Sequence, residues 1–172
     1  AIQRQPRNVL NYYLRSQFHE KSGDYKGAAE VLERGWQAVK SRRGKLYLEH
    51  YLAYMRYNQG ANLAKQKQYD EAFQVYESLV AAHPDAWYSR SALTQIAGLW
   101  QSHKNDYAKA VEAQQRFLRL YPDADECPGV VATLASLYQS HLKDPAKAID
   151  AYRQYVDKYP DNDNSSAYLF SL

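Results

Sequence analysis

Three prolines at equal intervals constrain the fold of this chain more than any other sequence feature. Pro84, Pro122 and Pro160 lie 38 residues apart, and each is followed by an aspartate. A second marker has the same period, because the segment LWQSH at 99–103 aligns with the segment LYQSH at 137–141. A fixed period of this length indicates an internal repeat, in which one supersecondary unit recurs along the chain.

A small residue recurs at the same place in each unit. Alanine follows each turn-like segment by a few residues, and the four equivalent alanines are Ala28, Ala72, Ala110 and Ala148. A methyl group allows two helices to approach closely, whereas a larger side chain at such a position would overpack the contact at a cost of ~1–3 kcal/mol. We therefore expect these alanines to lie where two helices of one unit meet.

Each unit is predicted to consist of two helices. In the last unit, the apolar residues of segment 129–142 recur at i, i+1, i+4, i+7 and i+8, which places them on one face of an α-helix. Asp144-Pro145 interrupts this helix and starts a second one, which Pro160 ends. No alternating strand pattern competes with this interpretation.

The sequence therefore predicts an all-α protein, a right-handed superhelical solenoid of antiparallel helix pairs with about four repeats. It predicts one domain over 1–172, with a further helix that begins at 164–172, and we expect the chain to be a fragment of a longer one. The repeats are predicted at approximately 8–44, 45–84, 86–122 and 126–160.

The composition excludes several classes of functional site. A single cysteine, Cys127, rules out a disulfide framework and a cysteine-based zinc site. The sequence has no glycine-rich phosphate loop, no nucleophile elbow and no metal-binding motif. We therefore expect a non-catalytic protein without a metal or another cofactor. No apolar run approaches the ~18 residues needed to span a bilayer, so no membrane span is predicted.

Charge is distributed unevenly along the chain. Residues 1–68 contain 13 Lys and Arg against 5 Asp and Glu, whereas residues 69–172 contain 9 against 14. Such polarity can orient self-association or steer a partner, but it is too weak to require nucleic acid. We therefore predict no nucleic-acid partner. An RNA-binding helical repeat is the weakest alternative, since the C-terminal units are acidic.

These units resemble the tetratricopeptide repeat, a family with small, aromatic and proline residues at fixed positions in two helices. The second unit matches best, with Gly60, Leu63, Ala72, Tyr76 and Pro84. The third and fourth units carry the same pattern at Ile96, Ala97, Trp100, Ala110, Phe117 and Pro122, and at Leu134, Ala135, Tyr138, Ala148, Tyr155 and Pro160. The first unit departs from the pattern, and the period of 38 exceeds the family's standard of about 34 residues.

Longer repeats that end in Tyr-Pro-Asp are similar to those of bacterial envelope proteins. That likeness implies a periplasmic or envelope-associated protein, with a cytoplasmic location as the alternative. The family resemblance also implies a protein or peptide partner, bound in the groove formed by the first helices of the repeats. A structural role, in which the units self-associate within a larger assembly, is the second hypothesis.

Eight residues are the predicted partner-binding positions. Tyr47, Tyr51 and Tyr54 are spaced i, i+4 and i+7 on one helix, and Tyr57 follows them, so they could form an aromatic contact strip. The alternative for these tyrosines is the core between repeats. By correspondence with the family, the other positions that face the groove are Thr94, Gln101, Ser136 and Gln139. Amides can hydrogen-bond an extended peptide without a fixed charge, although these residues could equally be solvent-facing polar groups.

Overall fold

The computed structural model describes residues 8–161, 163 and 165, and its regular structure is helical throughout. Within residues 8–161 the α-helices are α1 Val9–Lys21, α2 Tyr25–Ala38, α3 Arg42–Lys65, α4 Tyr69–Ala82, α5 Trp87–Ser102, α6 Tyr107–Leu120, α7 Cys127–Ser136 and α8 Pro145–Lys158. The predicted all-α repeat of antiparallel helix pairs is confirmed, since no strand occurs in the described part of the chain. The further helix predicted at 164–172 falls, apart from Ser165, outside the described residues.

The chain divides into two compact units, unit 1 over Ala1–Ala92 and unit 2 over Leu93–Leu172, with the division inside α5. In unit 1, α2 packs between α1 and α3, and α4 packs on α3. Helix α1 also contacts α3, so the first helices of consecutive pairs lie side by side. In unit 2, α7 packs against both α6 and α8.

One backbone feature recurs in the turn inside each helix pair. The residue two positions before the second helix has a positive φ in each pair, namely Gly23 (77°), Lys67 (62°), Asn105 (51°) and Lys143 (54°). Glycine adopts this left-handed conformation without cost, and asparagine tolerates it, but for lysine it is unfavourable. A residue with a positive φ therefore occurs at this position in all four pairs, including two in which it is a lysine.

The residue after each of these positions is the N-cap of the second helix. The side chains of Asp24, Asp106 and Asp144 accept hydrogen bonds from backbone N–H groups three residues later, at 2.8, 3.1 and 3.1 Å. The pKa of each of these carboxyls is lowered, and the capping hydrogen bond is the main cause. Gln68 occupies the same position before α4 and makes no capping bond with its side chain.

Small residues lie at the closest helix contacts, as the repeat pattern predicts. Ala28, Ala72, Ala110 and Ala148 are all buried. In unit 1, Ala28 packs with Leu32 of α2 against a stripe of α3 that consists of Leu48, Leu52 and Met55. This stripe forms the core between the first two helix pairs.

Helix α7 continues without a break into a π-helical segment, Leu137–His141. The N–H of Leu142 donates to the carbonyl of Leu137 at 3.0 Å, five residues back. At the equivalent place in α5, His103 donates to Leu99, four residues back, so nearly the same five-residue sequence ends as an ordinary α-helix there. The π segment buries Tyr138, whose hydroxyl accepts a hydrogen bond from Gln115 Nε2 at 3.0 Å.

Candidate functional site: a tyrosine surface

Six tyrosines of unit 1 form a connected group on its first helices, which we call the tyrosine surface. Its members are Tyr13 on α1, Tyr47, Tyr51, Tyr54 and Tyr57 on α3, and Tyr88 near the start of α5. The spacing on α3 aligns its four tyrosines beside the stripe of Leu48, Leu52 and Met55 that packs on α2. The tyrosine rings therefore occupy a part of α3 next to the core stripe.

One end of the surface joins α1 to α3. The ring centroid of Tyr13 lies 4.6 Å from that of Tyr51 and 5.6 Å from that of Tyr47. Tyr47 and Tyr51 are 4.9 Å apart. These are the distances at which aromatic pairs add favourable energy beyond the burial of area.

The other end joins α3 to the start of α5. Tyr88 lies 5.3 Å from Tyr54 and 5.8 Å from Tyr57, measured between ring centroids. His50 contacts both Tyr51, at 5.4 Å, and Tyr88, at 5.9 Å. The rings are therefore continuous from α1 through α3 to α5.

The tyrosine surface is partly accessible to solvent. Tyr47 is 41% exposed, and the other five tyrosines are half-buried. Trp87 is 54% exposed and its ring meets that of Tyr88 at 5.1 Å, so it extends the surface at the α5 end. A protein that binds here would find broad aromatic area that is already held in place by neighbouring rings.

Four hydroxyls of this surface, those of Tyr13, Tyr47, Tyr54 and Tyr88, have a raised pKa. Loss of solvation and a hydrogen bond to Tyr51 raise the pKa of Tyr47 to about 12. A hydrogen bond to Tyr51 is the main cause that raises the pKa of Tyr13, and burial raises that of Tyr54 and Tyr88. Neutral hydroxyls can both donate and accept, which suits recognition of polar backbone groups.

The structure brings together the four tyrosines predicted from α3 and adds three residues that the sequence analysis missed, Tyr13, His50 and Tyr88. One signal for Tyr13 was present: it precedes Tyr57 by 44 residues, the same spacing that separates Ala28 from Ala72. Tyr88 had no such signal, because its role depends on the packing of α5 beside α3.

The other four predicted residues belong to unit 2. Thr94 and Gln101 lie on α5, Ser136 ends α7, and Gln139 lies in the π segment. Gln101 is half-buried, and the other three are exposed. The two glutamines occupy equivalent sequence positions but different backbone geometries, since only Gln139 is in a π-helix.

Metal-binding groups and membrane-spanning helices are both absent from the residues that the structure describes. Within 8–161, 163 and 165, no group of three or more His, Cys, Asp or Glu side chains could hold a metal ion. In the same part of the chain, no helix has the length and apolar character required to cross a bilayer.

Consecutive helix pairs with small residues at the closest contacts define a helical-repeat protein. A model of the tetratricopeptide repeat family matches residues 54–86 and 133–162. These two segments are tetratricopeptide repeats, and they contain every residue of the family pattern noted in the second and fourth units. The third unit has the same pattern but lies outside the matched ranges. No curated protein matches the chain.

Proposed function

We propose that this protein is a non-catalytic scaffold that binds a segment of a partner protein on the tyrosine surface. Tetratricopeptide repeats in general mediate protein–protein interaction, which supports the class of function. The observation that carries the choice of face is the continuous group of rings from Tyr13 to Tyr88 on the first helices. Tyr51 and Tyr54 also pack against the core of unit 1, whereas Tyr47 and the adjoining Trp87 are exposed and available for contact.

Tyrosine suits such a role for physical reasons. It offers a large contact area with few rotatable bonds, and its hydroxyl can bond a partner's backbone. Aromatic residues also dominate the binding energy of small interfaces. We expect a dissociation constant on the order of micromolar, as is common for small transient interfaces. The preferred partner segment carries apolar side chains for the rings and exposed peptide groups for the hydroxyls.

Four polar residues of unit 2 are proposed as partner contacts within that unit. Thr94, Gln101, Ser136 and Gln139 would bond the backbone of an extended segment. Their part can be tested separately, by substitution of the two glutamines with alanine. If the double variant binds the partner with unchanged affinity, the two glutamines take no part in binding and only the tyrosine surface does.

The test of the scaffold function is capture of a partner from cells of the source organism by three forms of the protein. We expect a partner to be retained by the parent chain and lost with the double variant Tyr47→Ser/Trp87→Ser. The matched control is Trp36→Ser, which removes an exposed tryptophan of α2 that is not part of the tyrosine surface. A partner that binds the double variant as well as the parent would overturn the proposal for this face.

Self-association is the second candidate function, and one observation favours it. Leu10, Leu14 and Phe18 are spaced i, i+4 and i+8 on α1 and are 54%, 50% and 77% exposed. Large apolar side chains aligned on one helix and exposed to water mark an interaction surface. Sedimentation velocity should then show concentration-dependent dimers that Phe18→Ser abolishes. A strict monomer at high concentration and low salt would exclude this function.

We also propose a periplasmic or envelope-associated location, with the cytoplasm as the alternative. The support is the likeness of the Tyr-Pro-Asp repeat ends, at 121–123 and 159–161, to envelope proteins with long repeats. Fractionation of cells that express the full-length gene tests this proposal. Recovery of the protein with cytoplasmic markers alone would refute it.

A further inference from the structure

Unit 2 contains a groove of about 540 Å³, which we call the α6–α8 groove. Helices α6 and α8 form its walls, and α7 with the π segment forms its base. Its volume falls within the range of sites that bind ligands. Apolar side chains from all three helices line it, namely Leu118, Val131, Leu134, Ala151 and Tyr155. The second helices of two pairs form this groove, so it is a different surface from the tyrosine surface.

The charge of the groove is opposite to that of its unit. From residue 93 onward, the chain has eight Lys and Arg and ten Asp and Glu. Three of these cations, Arg119, Lys147 and Lys158, line the groove together with one carboxylate, Asp150. Cations therefore outnumber carboxylates among the residues that line the groove, within an acidic unit, and this favours an anionic occupant.

Two of the cations make ion pairs with residues outside the groove lining. Lys147 Nζ lies 3.0 Å from Asp144 Oδ2, and Lys158 Nζ lies 3.6 Å from Asp123 Oδ1. Lys158 also donates to the carbonyl of Pro122 at 3.2 Å. Both ion pairs are exposed to solvent and contribute little energy, so a ligand carboxylate can compete for either lysine.

The π segment supplies a further polar group. It places Tyr138 in the groove lining, where its hydroxyl accepts from Gln115 Nε2. This bond uses the oxygen of the hydroxyl as an acceptor and leaves its O–H to donate to a ligand. Segments of π-helix within α-helices occur frequently at functional sites.

We propose that the α6–α8 groove binds an acidic amphipathic peptide segment of a partner protein. Its apolar side chains would cover Leu118, Leu134 and Ala151, and its carboxylates would pair with Arg119, Lys147 and Lys158. Charge complementarity selects this occupant, since a basic segment would meet three cations at close range. The proposal is independent of the tyrosine surface and does not require that surface to bind anything.

Fluorescence anisotropy with two synthetic peptides tests the proposal. The acidic probe is a labelled helix of about 14 residues with leucine on one face and glutamate on the other, and the second probe replaces every glutamate with lysine. We expect the acidic probe alone to bind. The variant Lys147→Glu should weaken that binding at least about tenfold. Arg153→Glu is the matched control, because Arg153 is an exposed cation of the same helix that does not line the groove.

The control also separates the groove from general attraction by the basic N-terminal part of the chain. If the basic N-terminal part of the chain held the acidic probe, the two variants of α8 would reduce its affinity equally or would leave it unchanged. The proposal is overturned by that result, by absence of binding of the acidic probe, or by equal binding of the lysine probe. Circular dichroism of each variant establishes that its helices are intact.

Discussion

Gly60 of α3 lies directly against the ring of Tyr76 of α4. A Cβ added to Gly60 would be 2.6 Å from Cε1 of Tyr76, closer than any ordinary contact. Tyr76 is completely buried, so its ring has no space into which to move. The contact holds the two helices of the second pair at close range, and it places Tyr76 beside Tyr57 of the tyrosine surface, at 5.8 Å between ring centroids.

Replacement of Gly60 by alanine should therefore destabilise the protein. We expect a loss of about 1–3 kcal/mol in the free energy of unfolding, because the methyl group overpacks the contact with Tyr76. Urea denaturation followed by circular dichroism measures it. The control is Gly98→Ala on α5, where no neighbouring atom lies within 4 Å and alanine should stabilise the helix by about 0.5–1 kcal/mol. Equal stability of the two variants would contradict the close contact.

The hydroxyl of Tyr76 offers a second prediction. It is buried and has no hydrogen-bond partner among the residues that the structure describes, and burial raises its pKa. Tyr76→Phe keeps the ring and removes a buried polar group without a partner, so we expect unchanged or higher stability, by up to about 1 kcal/mol. Tyr76→Ala, which removes the ring, should cost about 3–5 kcal/mol. A clear loss in the Phe variant would show that the hydroxyl is bonded.

The missing cap of α4 can be supplied. Gln68→Asp places at this turn the same side chain that caps α2, α6 and α8, and should stabilise the protein by about 1 kcal/mol. The carboxylate must be ionised to act fully, and capping lowers its pKa in the folded state. The gain should thus be present above about pH 4 and fade as the pH falls further. Urea midpoints of both proteins at neutral and acid pH measure the difference, and a gain that persists at acid pH would contradict this account.

Alkaline pH should lower the stability of unit 1. This loss should begin at a lower pH than the ionisation of its tyrosines in the folded state. The pKa of Tyr47 is about 12 when folded, against an ordinary value of 10.0. Between these values the unfolded chain releases a proton that the folded chain retains, so stability falls as the pH rises. The urea midpoint across this range tests the prediction, together with the ultraviolet absorbance of tyrosinate. Tyr47→Phe should show a shallower decline, and an identical decline would argue against it.

The sequence was sufficient to predict the helix pairs, and particular residues explain why. The prolines repeat every 38 residues, and the last three of the four alanines have the same spacing, because these pairs bury a small residue at an equivalent position. Local pattern and packing therefore agree. The tyrosines of α3 could be predicted as a group for the same reason, since helical spacing alone aligns them.

Features that depend on contacts between helices could not be predicted. Segments 99–103 and 137–141 differ at one residue, yet only the second is π-helical. Its geometry accompanies the bond of Tyr138 to Gln115 and the stacking of His141 on Tyr107, at 3.9 Å, and neither contact is visible in a linear pattern. The α6–α8 groove was missed for the same reason, because it arises from three helices together.

The recurring turn has a consequence for protein engineering. Four different residue pairs, Gly23-Asp24, Lys67-Gln68, Asn105-Asp106 and Lys143-Asp144, share a positive φ at their first residue. Gly-Asp can be installed at every junction, because glycine adopts this conformation without strain and aspartate caps the helix that follows. Copies of one such module would then supply every helix junction of an artificial array.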